Sequence, residues 1–278
     1  MTQQWQSGED YARQKRSEKQ KYNQDLTEAL ARMAESPAFW RTYLEVQGRL
    51  SQLSVGNAMM VARQYPAASL LRLSTEWDAL GVRPFRCAQG IALLIPGEPY
   101  RRQDGSLAQG YDVRRAFDVS QTNYKGQLPA MPDQQTLLRG LLEYQKGAWE
   151  FRVHSDGEAA RYDPTAHVLS IRRQQPFAPL YPALAREVVC ADLLLRYQLP
   201  REDSEPLAIS VAYMLCSRYR TNPVDLDLPA PRAVMGADAS LYRSKLSMLL
   251  DPLRGVIHAT EPDPPAPLLR PPDREAAL

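Results

Sequence analysis

The first 80 residues alternate apolar and polar positions at helical spacing. Over residues 8–35, Leu26, Ala29, Leu30 and Met33 share one face with charges elsewhere, which predicts a helix. Its first part, YARQKRSEKQKYNQD, is almost wholly polar and reads as a solvated extension. Ser36-Pro37 places a capping residue ahead of a proline at the first helical position. In the helix that follows, Phe39, Tyr43 and Val46 with Trp40 and Leu44 form an apolar stripe. A third helix over about 54–64 ends before Tyr65-Pro66, because the residue preceding a proline disfavours helical torsions. STEWDAL, 74–80, opens on a Ser/Thr cap and stops at Gly81.

The pattern then changes to strands. GIALLIP (90–96) is a short apolar run between Gly and Pro, and YDVRRAFDVSQT (111–122) carries Val113, Phe117 and Val119. Two such runs joined by the Gly-, Asp- and Arg-rich loop 97–110 predict an antiparallel pair. Residues 126–133 read as a linker. Beyond it come a helix at 134–145, two short strands in WEFRVHS and AHVLSIRR joined by a turn in EAARYDP, and a long apolar helix at about 178–197. Ser204-Glu205-Pro206 reads as a helix start for a segment reaching about 220, and a last helix spans about 238–257. The Pro-rich tail 259–278 is expected to be disordered. The expected fold is α+β in two domains, each a small, mostly antiparallel sheet with several helices. Residues 1–36 form a helical extension, 37–125 a first domain and 134–258 a second.

Composition adds little to this outline. Hydrophobic residues are 44% and charged residues 24%, enough apolar content for a sizeable core. There is no apolar run long enough to cross a membrane and no secretory h-region, and the three cysteines lack CxxC spacing. These features point to a cytoplasmic protein with reduced thiols and no membrane partner. Charge distribution is more informative than the net +2. Residues 37–125 hold eleven Lys+Arg against seven Asp+Glu, a surplus of four, whereas 126–278 hold seventeen against nineteen. All but one of the eleven are arginines, whose planar fork suits phosphate.

Candidate chemistry centres on ALAREVVCADLLL, 183–195. Histidines at both Arg186 and Cys190 would make HEVVH, a zinc-hydrolase helix with Glu187 as general base. Arginine cannot ligate a metal, Cys190 is one donor where three are needed, and His154, His167 and His258 have no helical pairing. Asp192, Asp203 and Glu205 neighbour Glu187 only in sequence, and there is no GxSxG, Walker-type or GxGxxG glycine motif. No catalytic residue and no cofactor or metal is therefore assigned. Glu187 is expected to be held by Arg186 or another cation, or partly exposed.

LSVGNAMMVARQYPAASLLRLSTEWDALGVRPFRCAQGIALLIP, followed by YDVRRAFDVSQT, resembles the N-terminal domain of ArdC-like antirestriction proteins, related to domains of LtrC-like proteins of conjugative elements. The resemblance rests on an ordered set: Asn57, Gln64 and Pro66; Trp77, Leu80 and Gly81; Gly90, Ile91 and Pro96; Phe117, Asp118, Gln121 and Thr122. It departs from the pattern at RPFRCAQGI, which has fewer glycines and an added Phe85.

The resemblance implies a single-stranded-DNA-binding domain followed by a zinc-metallopeptidase-like domain. In the latter, Arg186 and Cys190 stand at the histidine positions and Ile209 at the position of the third, acidic ligand. The expectation is a non-enzymatic, non-sequence-specific single-stranded-DNA-binding protein of a mobile element, antirestriction-like, with a metal-free peptidase-like second half. The alternative is a protein-interaction module in which residues 134–258 dock a partner. The DNA-binding candidates are Asn57, Arg63, Gln64, Arg83, Arg86, Tyr100, Arg101, Arg102, Tyr111, Arg114, Arg115 and Gln121. Tyr124 joins Tyr100 and Tyr111 as a stacking candidate, whereas Trp77 and Phe117 read as core. Arg114 and Arg115 point to opposite faces of a strand, so only one of them lines a given groove.

Overall fold

The structure, a computed structural model, describes residues 8–262 except 103, 224 and 225. The Pro-rich tail beyond 262 lies outside the described residues. The elements follow in the order α1 (Gly8–Glu35), α2 (Pro37–Arg49), α3 (Val55–Gln64), β1 (Leu71–Leu73), α4 (Ser74–Ala79), β2 (Ile91–Pro96), β3 (Tyr100–Arg101), β4 (Leu107–Ala108) and β5 (Tyr111–Asp118). Then come α5 (Gln134–Glu143), β6 (Glu150–His154), β7 (Ala160–Asp163), β8 (Val168–Arg172), α6 (Phe177–Tyr197), α7 (Arg201–Tyr219), α8 (Pro231–Met235), α9 (Tyr242–Ser247) and α10 (Leu250–Thr260). The fold is α+β, as the pattern predicts.

The chain divides into two compact units. One takes residues 8–32 and 56–126, the other 33–55 and 127–262. This differs from the expected boundary, because α2 groups with the second half. Its stripe of Phe39, Trp40, Tyr43, Leu44 and Val46 is buried, and α2 packs on α7. Gly48 permits this approach: a Cβ there would sit 2.3 Å from the Met214 carbonyl oxygen. Tyr213 donates to Glu45 (3.0 Å), and Arg254 donates to the carbonyls of Ser51 (2.9 Å) and Leu53 (2.9 Å). Periodicity reveals a buried stripe but not the helix it packs against.

In the first unit, β1, β5 and β2 form a three-stranded antiparallel sheet in that order. The β2–β5 pair is the expected one, whereas three-residue β1 and the small β3–β4 hairpin are too short to stand out in sequence. Ile91, Leu93 and Ile95 are buried and lie opposite Ala116, Arg114 and Asp112. The other face carries Tyr111, Val113, Arg115 and Phe117 on β5, with Arg72 opposite Phe117 and Ala92 opposite Arg115.

The second unit holds a sheet of order β6-β8-β7, with β6 parallel to β8 and β7 antiparallel to it. The sequence expectation of two strands joined by a turn is corrected here. The turn region contains strand β7, and the hairpin is β7–β8. A run as short as ARYD is read as a turn because its polar flanks mask its alternating burial, with Ala160 and Tyr162 inward. The helix expected from Ser204 begins three residues earlier, after Pro200, and Ser204 is buried inside it with its hydroxyl donating to the Arg201 carbonyl (3.3 Å). The expected 74–80 cap is also shifted: Leu73 is the N-cap residue, and Glu76 accepts from its N–H (2.6 Å). Instead of one helix over 238–257, a 3-10 turn at Ala239–Leu241 leads into α9 and α10, after an unexpected α8. The Ser36 cap stands as expected, accepting from the Phe39 N–H (3.2 Å).

Candidate functional site

The residues that carry the sequence resemblance build the first sheet. The Asn57 amide reaches the β2 edge, accepting from the Leu94 N–H (2.9 Å) and donating to the Leu94 carbonyl (2.9 Å). Gln64, two turns further along α3, does the same to Ala92 (2.9 and 3.2 Å). Side-chain amides carry a donor and an acceptor, so each substitutes for one residue of a missing neighbouring strand. Trp77 is fully buried and its indole N–H donates to the Phe117 carbonyl (3.0 Å). Asp118 is buried and accepts from the N–H groups of Ser69 (2.6 Å) and Leu70 (2.9 Å) and from Ser120. Gln121 accepts from the Asp118 N–H (2.9 Å) and donates to the Gln89 carbonyl (3.0 Å).

The remaining DNA-binding candidates separate by placement. Arg63 is tied to Asp25 and Glu28 on α1 (3.1 Å each). Arg83 and Arg86 are exposed in the loop before β2, beside Phe85, which is 50% exposed. Tyr100, Arg101 and Arg102 lie at the β3–β4 hairpin, with Tyr100 exposed. Tyr111 and Arg115 share the outer face of β5, whereas Arg114 lies on the opposite face, across from Leu93. Both are exposed, and Arg115 is the one that shares a face with Tyr111. Arg72, unassigned in sequence, joins this face beside Phe117. A groove of about 550 Å³ lined by Gln64, Gln89, Gly90, Ile91 and Arg115 opens at one end of the sheet. Gly90 is required there: a Cβ would lie 2.9 Å from Arg115 Cβ and 3.0 Å from the Phe117 ring. Tyr124 packs its ring against buried Trp77 at 5.8 Å and is part-buried.

In the second unit, Glu187 is buried on α6. Arg201 grips its carboxylate through both Nη1 and Nη2 (2.7 Å each), Arg186 Nε donates at 3.0 Å, and the Tyr162 N–H of edge strand β7 donates at 2.9 Å. Glu205 stands 3.9 Å from Arg186 and 3.7 Å from Arg201. Two acids and two guanidiniums thus form one neutral network. Burial pushes the Glu187 carboxyl up, but the Arg201 fork, the Tyr162 N–H and the two cationic charges outweigh it and hold it below the usual carboxylate range. Hydrogen bonding to Glu187 raises Arg201 in turn. Burial pushes the Cys190 thiol up to about 12, with Glu187 adding to the effect, so it is a neutral thiol at pH 7.

These residues do not fit a divalent cation. The Glu187 carboxylate is occupied by guanidiniums, Ile209 offers no donor, and among the described residues no group of three His, Cys, Asp or Glu could hold a metal ion. Asp192 is not a second acid beside Glu187; it accepts from Gln145 (2.7 Å) and Arg196 (2.9 Å). Arg201 is the partner that sequence reasoning missed. It lies fourteen positions from Glu187, in what read as a loop before a helix start. Its only local signal is a basic residue directly after Pro200. A cleft of about 190 Å³ adjoins the network, lined in part by Arg186, Ala160, Pro179 and Leu226.

Two units of this build, a three-stranded antiparallel sheet edged by helix amides and a mixed sheet beside the Glu187 helix, define an architecture similar to the ArdC fold. Crystal structures of the antirestriction ArdC protein from plasmid R388 match it. The metal-free form has 14% identity over 87% of this chain and 98% of that chain, with a TM-score of 0.53. The Mn(II)-bound form has 16% identity over 86% and 97%, with a TM-score of 0.54. No family model and no curated protein matches the chain. At these identities the likeness is one of fold. No described helix is long and apolar enough to cross a membrane.

Proposed function

We propose that this chain binds single-stranded DNA without sequence preference, as a mobile-element protein of antirestriction type, through the outer face of the β1-β5-β2 sheet. The observation that carries the reading is the composition of that face. Tyr111 and Arg115 are exposed on β5, with half-buried Val113, Phe117 and Arg72 on the same face, so a ring and a cation share one surface beside an open groove. Aromatic rings stack on any base and arginines follow the phosphates, which makes such a surface tolerant of sequence. The four-residue surplus of positive charge in 37–125 and the fold shared with an antirestriction protein support the same reading. Arg83, Arg86, Tyr100, Arg101 and Arg102 supply further contacts along the strand. Asn57, Gln64 and Gln121 contribute by shaping the sheet.

The second unit in this reading is a pseudo-peptidase. The charge that a metal would supply comes from Arg201 and Arg186, and the unit acts without a cofactor. The test is affinity for a labelled oligonucleotide from low to high salt. A steep fall of affinity with salt is expected, and Arg115→Ala should weaken binding and lower the salt slope by about one. Absence of binding at low salt refutes the reading, and a stoichiometric protein partner would then favour an interaction module built on residues 134–258.

A further inference from the structure

Besides three-residue β1, the two three-stranded sheets have three outer strands of four residues or more, and two are closed. Asn57 and Gln64 occupy the edge of β2, and Glu187 receives the outward Tyr162 N–H of β7. The third is β6. The Glu150 N–H donates to His167 (2.8 Å) and the His154 carbonyl accepts from Arg173 (2.8 Å), so the even-numbered residues of β6 bond to β8. The backbone groups of Phe151 and Val153 therefore point away from the sheet. Residues 150–153 are all exposed, including Phe151 at 42% and Val153 at 52%. These two side chains lie on the sheet face that buries Leu169 and Tyr162, beyond the cover those receive. An open edge with exposed apolar side chains is a template for another strand.

We propose that β6 pairs antiparallel with β6 of a second copy of this chain, about a two-fold axis at Phe151. Charge selects the register. Outward-facing residues must meet outward-facing residues, which leaves three central alignments. Centring on Glu150 sets Glu150 against its own copy, and centring on Arg152 does the same for Arg152; both place like charges directly opposite. Centring on Phe151 sets Glu150 opposite the partner's Arg152 and Phe151 opposite the partner's Phe151, with Trp149 opposite the partner's Val153. Within one chain Arg152 already binds Glu150 (2.9 and 3.0 Å), so pairing joins two ion pairs into a four-charge network. On the other face six apolar side chains form a row. Isologous symmetry repeats every contact twice.

Sedimentation of the full chain across concentration should show a dimer. Glu150→Arg and Arg152→Glu each create two repulsive pairs and should weaken it about ten-fold, whereas the double exchange should restore it. In a Cys87→Ser background, Phe151→Cys should cross-link on mild oxidation, since opposed residues of a hydrogen-bonded pair lie about 5.5 Å apart. Val153→Cys should not, because its copies would be about 14 Å apart. Circular dichroism checks that each variant is folded. A monomer at the highest soluble concentration, a dimer indifferent to the charge exchanges, or equal cross-linking of both cysteines would overturn the proposal.

Discussion

Both three-stranded sheets have an edge strand closed by a side chain from a helix, and the two closures differ in kind. On β2 the closing groups are the neutral amides of Asn57 and Gln64, each giving a donor and an acceptor to one backbone residue. On β7 the closing group is the Glu187 carboxylate, which can only accept and which brings a charge into the interior. The amide closure is self-contained. The carboxylate closure works only with cations around it, so Arg201 and Arg186 become part of the edge. A glutamate in a catalytic-looking helix therefore has a sufficient structural reason to be there.

The largest effect should come from breaking the charged closure. Arg201→Ala removes both 2.7 Å bonds and strands a buried carboxylate, a change expected to cost about 3–5 kcal/mol in urea unfolding. Glu187→Gln should cost less, about 2 kcal/mol, because the arginines left behind are partly exposed and can turn to water. The pH dependence has a definite sign. Glu187 has a lowered pKa in the folded protein, so its contribution is present above its ordinary value near 4.5 and is lost as pH falls below it. The stability difference between the native chain and Glu187→Gln should therefore shrink below pH 4.5. A difference that stays constant to pH 3 would show that the network does not hold the charge.

Breaking the neutral closure should cost less. Asn57→Ala leaves the N–H and carbonyl of Leu94 without the amide and removes the acceptor of the Tyr22 hydroxyl (2.8 Å), for an expected loss of about 2 kcal/mol. An Asn57→Asp variant sharpens the comparison. It keeps the acceptor for the Leu94 N–H but sets a carboxylate against the Leu94 carbonyl, so it should be no better than alanine. Recovery of native stability by Asn57→Asp would mean that charge is not what separates the two edges.

The contrast also marks what the sequence made legible. Most helices and the β2–β5 pair stand out because their periodicity is local. The partners of Glu187 do not, because Arg201 is brought to it by the α6–α7 turn. Strand β7 was masked by polar flanks, and α2 was misassigned because an apolar stripe does not name the surface that covers it. The motif residues were recognisable, but their partners were not: the side-chain amides of Asn57, Gln64 and Gln121, DNA-binding candidates in sequence, bond backbone. Arg114 and Arg115 could be told apart only once the register fixed the face of each.

The smallest effect separates the two amides from each other. Gln64 makes the same pair of bonds as Asn57 but at an exposed position, where water can replace it at the Ala92 N–H and carbonyl. Gln64→Ala should therefore cost about 1 kcal/mol or less, against about 2 kcal/mol for Asn57→Ala, in matched denaturant titrations. Hydrogen exchange should show the Ala92 amide opening faster in that variant, with the Leu94 amide unchanged. Equal losses at the two positions would mean that the β2 edge opens as one unit, and that the closure is cooperative along α3 instead of being made residue by residue.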